Sequence, residues 1–221
     1  MQLTMSKEIQ DEIGREGVIA VLEIESEQNA VPLAKALLDG GIKAIELALR
    51  TPAAFPSISL IAKEAPQMYI GIGTIIEKGQ AAMVKNTGCV HFGVSPGINP
   101  EIVKEAIAVG LPFAPGVATP SEIEQAISLN CRAVKLFPAE GMGGLNYLKS
   151  ICGPYNHLGI KYIPLGGVTI DNLASYAQFN SVLAVGGSWV ATKDLIKAQN
   201  WAEISRRAAE AIKIWRQNRK I

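Results

Sequence analysis

Strand-like and helix-like stretches alternate along nearly the whole chain, and this alternation restricts the fold more than any other feature. Residues 17–22 form a continuous apolar run, the pattern of a strand buried on both faces. Residues 26–38 follow with helical spacing and stop at Gly40-Gly41. The unit then recurs. Further strands are expected at 43–49, 68–73, 89–94, 112–115, 132–137, 162–165 and 181–185. Helices are expected between and after them at 52–65, 77–87, 100–109, 120–129, 146–151, 170–178 and 201–217. Strands joined through helices require right-handed crossovers and parallel pairing. Eight such units predict a single (β/α)8 TIM-barrel domain over residues 1–221, with a short extra N-terminal helix at 6–15. The alternative is an open doubly wound sheet. It usually carries a Gly-rich loop after its first strand, and none follows Leu22.

Composition narrows the partners. A chain of 221 residues with 48% hydrophobic and 19% charged residues is globular, and large enough for a barrel core. A formal net charge of +1 argues against nucleic-acid or membrane partners held by bulk charge. Cys89, Cys131 and Cys152 form no CxxC pair, which suggests reduced thiols and a cytoplasmic location. His91 and His157 are too few and too far apart for a convincing metal cluster, so no metal is expected. The first fifteen residues lack the apolar segment of a signal peptide. No run approaches the roughly 20 apolar residues of a membrane span.

Chemistry in such a barrel sits at the C-terminal ends of the strands. In the strand at 132–137, side-chain alternation puts Ala133, Lys135 and Phe137 on one face. An interior lysine must be desolvated, paired or functional. Desolvation lowers a lysine from its reference pKa of about 10.4, and the neutral amine attacks carbonyls to form a Schiff base. The structural alternative is a lysine whose stem packs while its head reaches water. In the second strand, Ala44, Glu46, Ala48 and Arg50 share the face expected to point inward, opposite Ile45, Leu47 and Leu49. A buried ion pair is the structural alternative for Glu46 and Arg50, although such pairs are weak stabilisers. With Lys135 they form a chemical set of nucleophile, proton shuttle and anion-binding fork.

Other strand ends supply walls and backbone. Gly71-Ile72-Gly73-Thr74 lets a ligand approach closely and offers a hydroxyl, and Ser95-Pro96-Gly97 gives a rigid wall. Leu165-Gly166-Gly167 and Gly186-Gly187-Ser188 follow strands seven and eight. There barrels commonly bind phosphate through backbone N–H groups and a nearby helix N-terminus. His91 reads as a packed or hydrogen-bonded core residue, and Trp201 and Trp215 as packing anchors. Arg206, Arg207, Lys213, Arg216, Arg219 and Lys220 read as the solvated face of the last helix.

Taken together, Glu46 with Leu49-Arg50-Thr51, Gly71 to Thr74, Ser95-Pro96-Gly97, Val134 to Glu140, Pro164 to Gly167 and Gly186 to Trp189 closely resemble the bacterial 2-dehydro-3-deoxy-phosphogluconate aldolase family, also assigned 4-hydroxy-2-oxoglutarate aldolase activity. The resemblance covers the chain from about Val18 to Trp189. It implies a metal-free, cofactor-free class I aldolase that cleaves 2-dehydro-3-deoxy-6-phosphogluconate to pyruvate and glyceraldehyde 3-phosphate. By the same resemblance Lys135 is the Schiff-base lysine and Glu46 the acid/base. Arg50 and Thr74 hold the pyruvate carboxylate, Pro96 and Phe137 pack on the pyruvyl group, and Gly166, Gly167, Gly187 and Ser188 take the phosphate. A homotrimer is also implied.

One residue departs from the pattern. Many members carry threonine where this chain has Leu165, and relatives acting on the galactonate epimer carry an apolar residue there. A lost hydroxyl contact changes discrimination by on the order of one to a few kcal/mol. Alternatives are therefore an aldolase for 2-dehydro-3-deoxy-6-phosphogalactonate or for 4-hydroxy-2-oxoglutarate. A phosphate-binding barrel isomerase or epimerase, or a non-catalytic binder, lies further off.

Overall fold

The structure, a computed structural model, describes residues 4–219. Lys220, expected on the last helix, lies outside them. The chain begins with helix α1 (Lys7–Glu16), which turns through Gly17 into strand β1 (Val18–Leu22). Gly17 has φ 74°, and a Cβ there would lie 1.9 Å from the Trp215 indole nitrogen, so this turn tolerates only glycine. A 3-10 turn (Glu27–Asn29) then leads into α2 (Ala30–Asp39). Next come β2 (Ala44–Ala48), α3 (Ala54–Glu64), β3 (Tyr69–Gly73), α4 (Gln80–Asn86), β4 (Phe92–Val94) and α5 (Pro100–Ala108). These are followed by β5 (Phe113–Ala114), β6 (Gly116–Val117), α6 (Pro120–Ser128), β7 (Ala133–Leu136) and α7 (Gly144–Cys152). The chain ends with β8 (Lys161–Pro164), α8 (Ile170–Ala177), β9 (Val185–Gly187), α9 (Lys193–Lys197) and α10 (Trp201–Asn218).

Strand pairing is parallel throughout, as short apolar strands separated by helices require. Six strands form one sheet in the order β5-β4-β3-β2-β1-β9, and three form another in the order β6-β7-β8. The parallel strands curl into a half-barrel with helices outside. The expected strand at 112–115 is divided at Pro115, which has no N–H to donate. The Pro115 carbonyl instead accepts from the Lys135 N–H at 2.9 Å.

Alternation sorts the core into two layers. Ile45 and Leu47 of β2, with Val134 and Leu136 of β7, pack outward under the helices. Ala44, Phe92, Val94, Ala114, Ala133, Ile163 and Leu165 face inward. Met5, Ile9 and Ile13 reach the same inner cluster, so α1 covers the N-terminal ends of the strands. This burial leaves the C-terminal ends as the accessible mouth. Outside, α10 packs on α2 and α8, and Trp215 is buried as expected.

Several expected details differ. Strand β4 starts at Phe92, so His91 lies just ahead of it on the surface rather than in the core. Its Nδ1 accepts from the Ile70 N–H at 3.0 Å, and its ring lies against Tyr69. The last strand sits later than 181–185, because residues 181–184 bond to β8 only around a bridge at Tyr162 and Val182. Arg206 and Arg216 are solvated, but Arg207 is half-buried and donates to the Trp189 carbonyl. Arg219 turns inward to the Val182 carbonyl and the Trp215 ring. Helix α9 carries no strong period over five residues and was not expected. Among the described residues, no helix is long and apolar enough to cross a membrane.

Candidate active site

The inward faces of β2 and β7 bring together two charges 89 residues apart in sequence. The Lys135 Nζ donates to the Glu46 Oε1 at 2.8 Å, and the two side chains are 7% and 4% exposed. Small neighbours make room for them. Ala44 and Ala133 lie one inward position below on the same strands, in the apolar inner cluster. Gly73 on the adjacent strand is equally necessary, since a Cβ there would come within 2.1 Å of the Glu46 Oε1. The Phe137 ring centroid is 5.4 Å from Nζ, close enough for a cation–π contact. A buried pair of this kind adds little stability for its desolvation cost, so it calls for a functional reason. A proton passed from Nζ to the carboxylate leaves a neutral amine beside its own acid.

The pair lies at the floor of a cavity of about 680 Å3 that opens at the C-terminal strand ends. The ten residues given a catalytic or substrate-binding role in the sequence line it: Lys135, Glu46, Arg50, Thr74, Pro96, Phe137, Gly166, Gly167, Gly187 and Ser188. Leu165 lines it too, 3% exposed, against Gly186, where a Cβ would meet the leucine side chain at 2.6 Å. Thr74 holds a left-handed φ of 64°, an uncommon conformation for a non-glycine residue. Gly166 and Gly167 have φ of 89° and 88°, and a Cβ on Gly167 would fall 2.5 Å from that of Glu140. The carbonyls of Leu165 and Gly166 are engaged away from the cavity, accepting from the N–H groups of Ala139 and Glu140. Behind this loop the Tyr176 hydroxyl donates to the Glu140 carboxylate at 2.6 Å. Burial and that carboxylate push the Tyr176 phenol well above its usual range.

Arg50 differs from its expected interior position. Strand β2 stops at Ala48, the Arg50 N–H turns back to the Ala48 carbonyl, and the guanidinium stands at the mouth, 54% exposed. There its Nη2 meets the Glu23 Oε2 at 2.7 Å. The other Glu23 oxygen takes the Lys193 ammonium. Neither Glu23 nor Lys193 was singled out in the sequence. Glu23 directly follows β1, so reading the first strand end like the others would have found it. Lys193 begins the unexpected α9 and left no such signal.

Comparison with known proteins finds clear relatives. The family model for KDPG and KHG aldolase matches residues 9–207. The 2-dehydro-3-deoxy-phosphogluconate aldolase of Dickeya dadantii is 38% identical over 195 residues, which are 88% of this chain and 90% of that protein. The KHG/KDPG aldolase of Escherichia coli K12 is 36% identical over 195 residues, with the same shares of each chain. Among solved structures, the KDPG aldolase of Legionella pneumophila, with pyruvate captured as a covalent carbinolamine, superposes with a TM-score of 0.86 at 34% identity. That superposition covers 91% of this chain and 97% of the other.

Proposed function

The chain belongs to the KDPG and KHG aldolase family, and on that ground we propose that it is a class I aldolase cleaving 2-dehydro-3-deoxy-6-phosphogluconate to pyruvate and glyceraldehyde 3-phosphate. The observation that carries this reading is the buried 2.8 Å contact between Lys135 and Glu46 at the floor of an open cavity. In the proposed reaction Glu46 takes a proton from Lys135, and the free amine attacks the C2 keto carbon. Glu46 returns the proton as the carbinolamine loses water to give an iminium. The iminium draws in the C3–C4 bonding pair as the Glu46 carboxylate takes the C4 hydroxyl proton and the aldehyde departs. The enamine left behind takes that proton from Glu46 at C3, and water releases pyruvate. Arg50 and Thr74 would hold the carboxylate, Arg50 through the planar fork that suits it. Pro96 and Phe137 would pack on the pyruvyl group, and Gly166, Gly167, Gly187 and Ser188 would take the phosphate.

Support for a closed (β/α)8 barrel in one domain comes from the two seams between the sheets. Pro115 separates β5 and β6 by one residue, and parallel bridges join Tyr162 to Val182 and Leu165 to Gly186. A homotrimer and a place in Entner-Doudoroff sugar-acid breakdown rest on the family resemblance. A cytoplasmic location rests on the cysteine pattern.

Borohydride trapping tests the reaction class. The intact chain, incubated with pyruvate and reduced, gains one pyruvyl mass, and peptide mapping finds it on Lys135. An unmodified chain after saturating pyruvate would remove the aldolase reading.

Leu165 favours a second reading of the substrate. It is buried in the cavity wall with no hydroxyl to offer. That suits the 2-dehydro-3-deoxy-6-phosphogalactonate epimer, or 4-hydroxy-2-oxoglutarate. Leu165→Thr is expected to move the ratio of kcat/KM values for the two C4 epimers by about tenfold towards the gluconate form, the scale of one hydrogen bond. An unchanged ratio would separate Leu165 from C4 recognition.

A further inference from the structure

The mouth of the cavity holds two charged groups, Glu23 and Lys193, that the proposed reaction does not use. The Glu23 side chain is 14% exposed, and its two oxygens are divided between Arg50 and Lys193. Arg50 and Lys193 are 54% and 56% exposed. Strands β9, β1 and β2 are consecutive in the sheet, so the loops carrying Lys193, Glu23 and Arg50 meet on one side of the mouth. Lys193 is joined to the glycine end of β9 by residues 188–192, and Ser188, Trp189, Ala191 and Thr192 also line the cavity. One cation suffices to pair the mostly buried Glu23 carboxylate, and contacts of exposed cations stabilise little, so folding alone gives weak reason for the second cation. Lysine carries three donors and arginine five, so each keeps donors free for an anion while bound to Glu23. The three groups together leave a charge of +1 at the mouth.

We propose that Lys193 is a further substrate-binding cation, positioned with Arg50 by the shared Glu23 carboxylate, so that the mouth selects a substrate anionic at both ends. Arg50 takes the carboxylate end and Lys193 the phosphorylated end. This rests on the aldolase reading above and adds a specificity element to it.

The test measures kcat and KM for the full chain with 2-dehydro-3-deoxy-6-phosphogluconate and with 2-dehydro-3-deoxygluconate, the same chain without the phosphate and so anionic at one end only. Lys193→Met is expected to raise KM for the phosphorylated substrate about tenfold or more, the scale of one charged hydrogen bond. KM for the unphosphorylated substrate stays within about twofold, and Lys193→Arg recovers most of the loss. Glu23→Gln, which releases both cations, raises KM for both substrates with kcat nearly unchanged. Equal effects of Lys193→Met on the two substrates, or none on either, overturn the assignment of Lys193. A lower KM in Glu23→Gln means that Glu23 competes with substrate for the cations, and overturns its positioning role. A wild-type chain that traps no pyruvate overturns the aldolase reading and this proposal together. Trapping in wild type with no selective effect at Lys193 overturns this proposal alone.

Discussion

Lys135→Met is expected to leave a folded chain that neither traps pyruvate nor turns over substrate, with kcat down by about 10,000-fold or more, the scale of losing a covalent nucleophile. Among the described residues no other lysine lies at the floor of the cavity: Lys193, also in the lining, is tied at the mouth to Glu23. Methionine matches the lysine stem closely enough to fill the space between Ala133 and Phe137. The structural effect of the substitution comes instead from Glu46, which is 3% exposed and would lose its cation. Removing one partner of a buried pair costs about 3–5 kcal/mol. In a chain of this size each 1 kcal/mol lowers Tm by roughly 2–4 °C, so a visible fall in melting temperature should accompany the lost activity. The double variant Lys135→Met with Glu46→Gln then recovers part of that Tm while remaining inactive. Such a crossover separates the electrostatic role of the pair from its chemical role. Turnover in Lys135→Met above about a hundredth of wild type would sink the Schiff-base mechanism.

The pair was legible in the sequence because it depends on local geometry. Residues two apart in a strand share a face, and that rule alone put Glu46 with Ala44 and Lys135 with Ala133 on the inward side. The glycines at 166 and 167 were legible for a similar reason, as both adopt a backbone conformation that side chains resist. What the sequence hid depends on partners far away in the chain. Arg50 has the inward parity of Glu46, but β2 ends at Ala48, where the Leu49 N–H bonds to Gly73 and the Arg50 N–H folds back. Parity has no meaning past that turn. The break at Pro115 reflects two different neighbours, β4 on one side and β7 on the other, and no local pattern records a change of partner. His91 was misplaced because β4 begins only at Phe92, with a single backbone bond from the His91 N–H to the Ile70 carbonyl ahead of it, and Lys193 was missed because five residues are too few to show a helical period.

Glu46→Gln tests the other half of the pair, and here kcat is expected to fall about 100- to 10,000-fold with little change in KM, as for loss of a general acid/base. Glutamine keeps the shape of glutamate and an oxygen to accept from Nζ, so the geometry in which the Glu46 Oε1 sits against Gly73 can persist. It cannot take and return a proton. Formation of the carbinolamine, its dehydration and protonation of the enamine should all slow together. Exchange of the pyruvate methyl protons with deuterium oxide reads the last of these without any need for the aldehyde product. That exchange should fall in parallel with kcat, whereas borohydride still traps pyruvate on Lys135, only more slowly. A purely structural Glu46 gives the opposite pattern. Its loss would lower Tm by stranding the buried Lys135 ammonium, while methyl exchange and kcat would stay within about tenfold of wild type. The contrast rests on placement: the carboxylate is 2.8 Å from the amine and within the same cavity wall, so the group that stabilises the resting lysine is also the group best placed to move protons once it reacts.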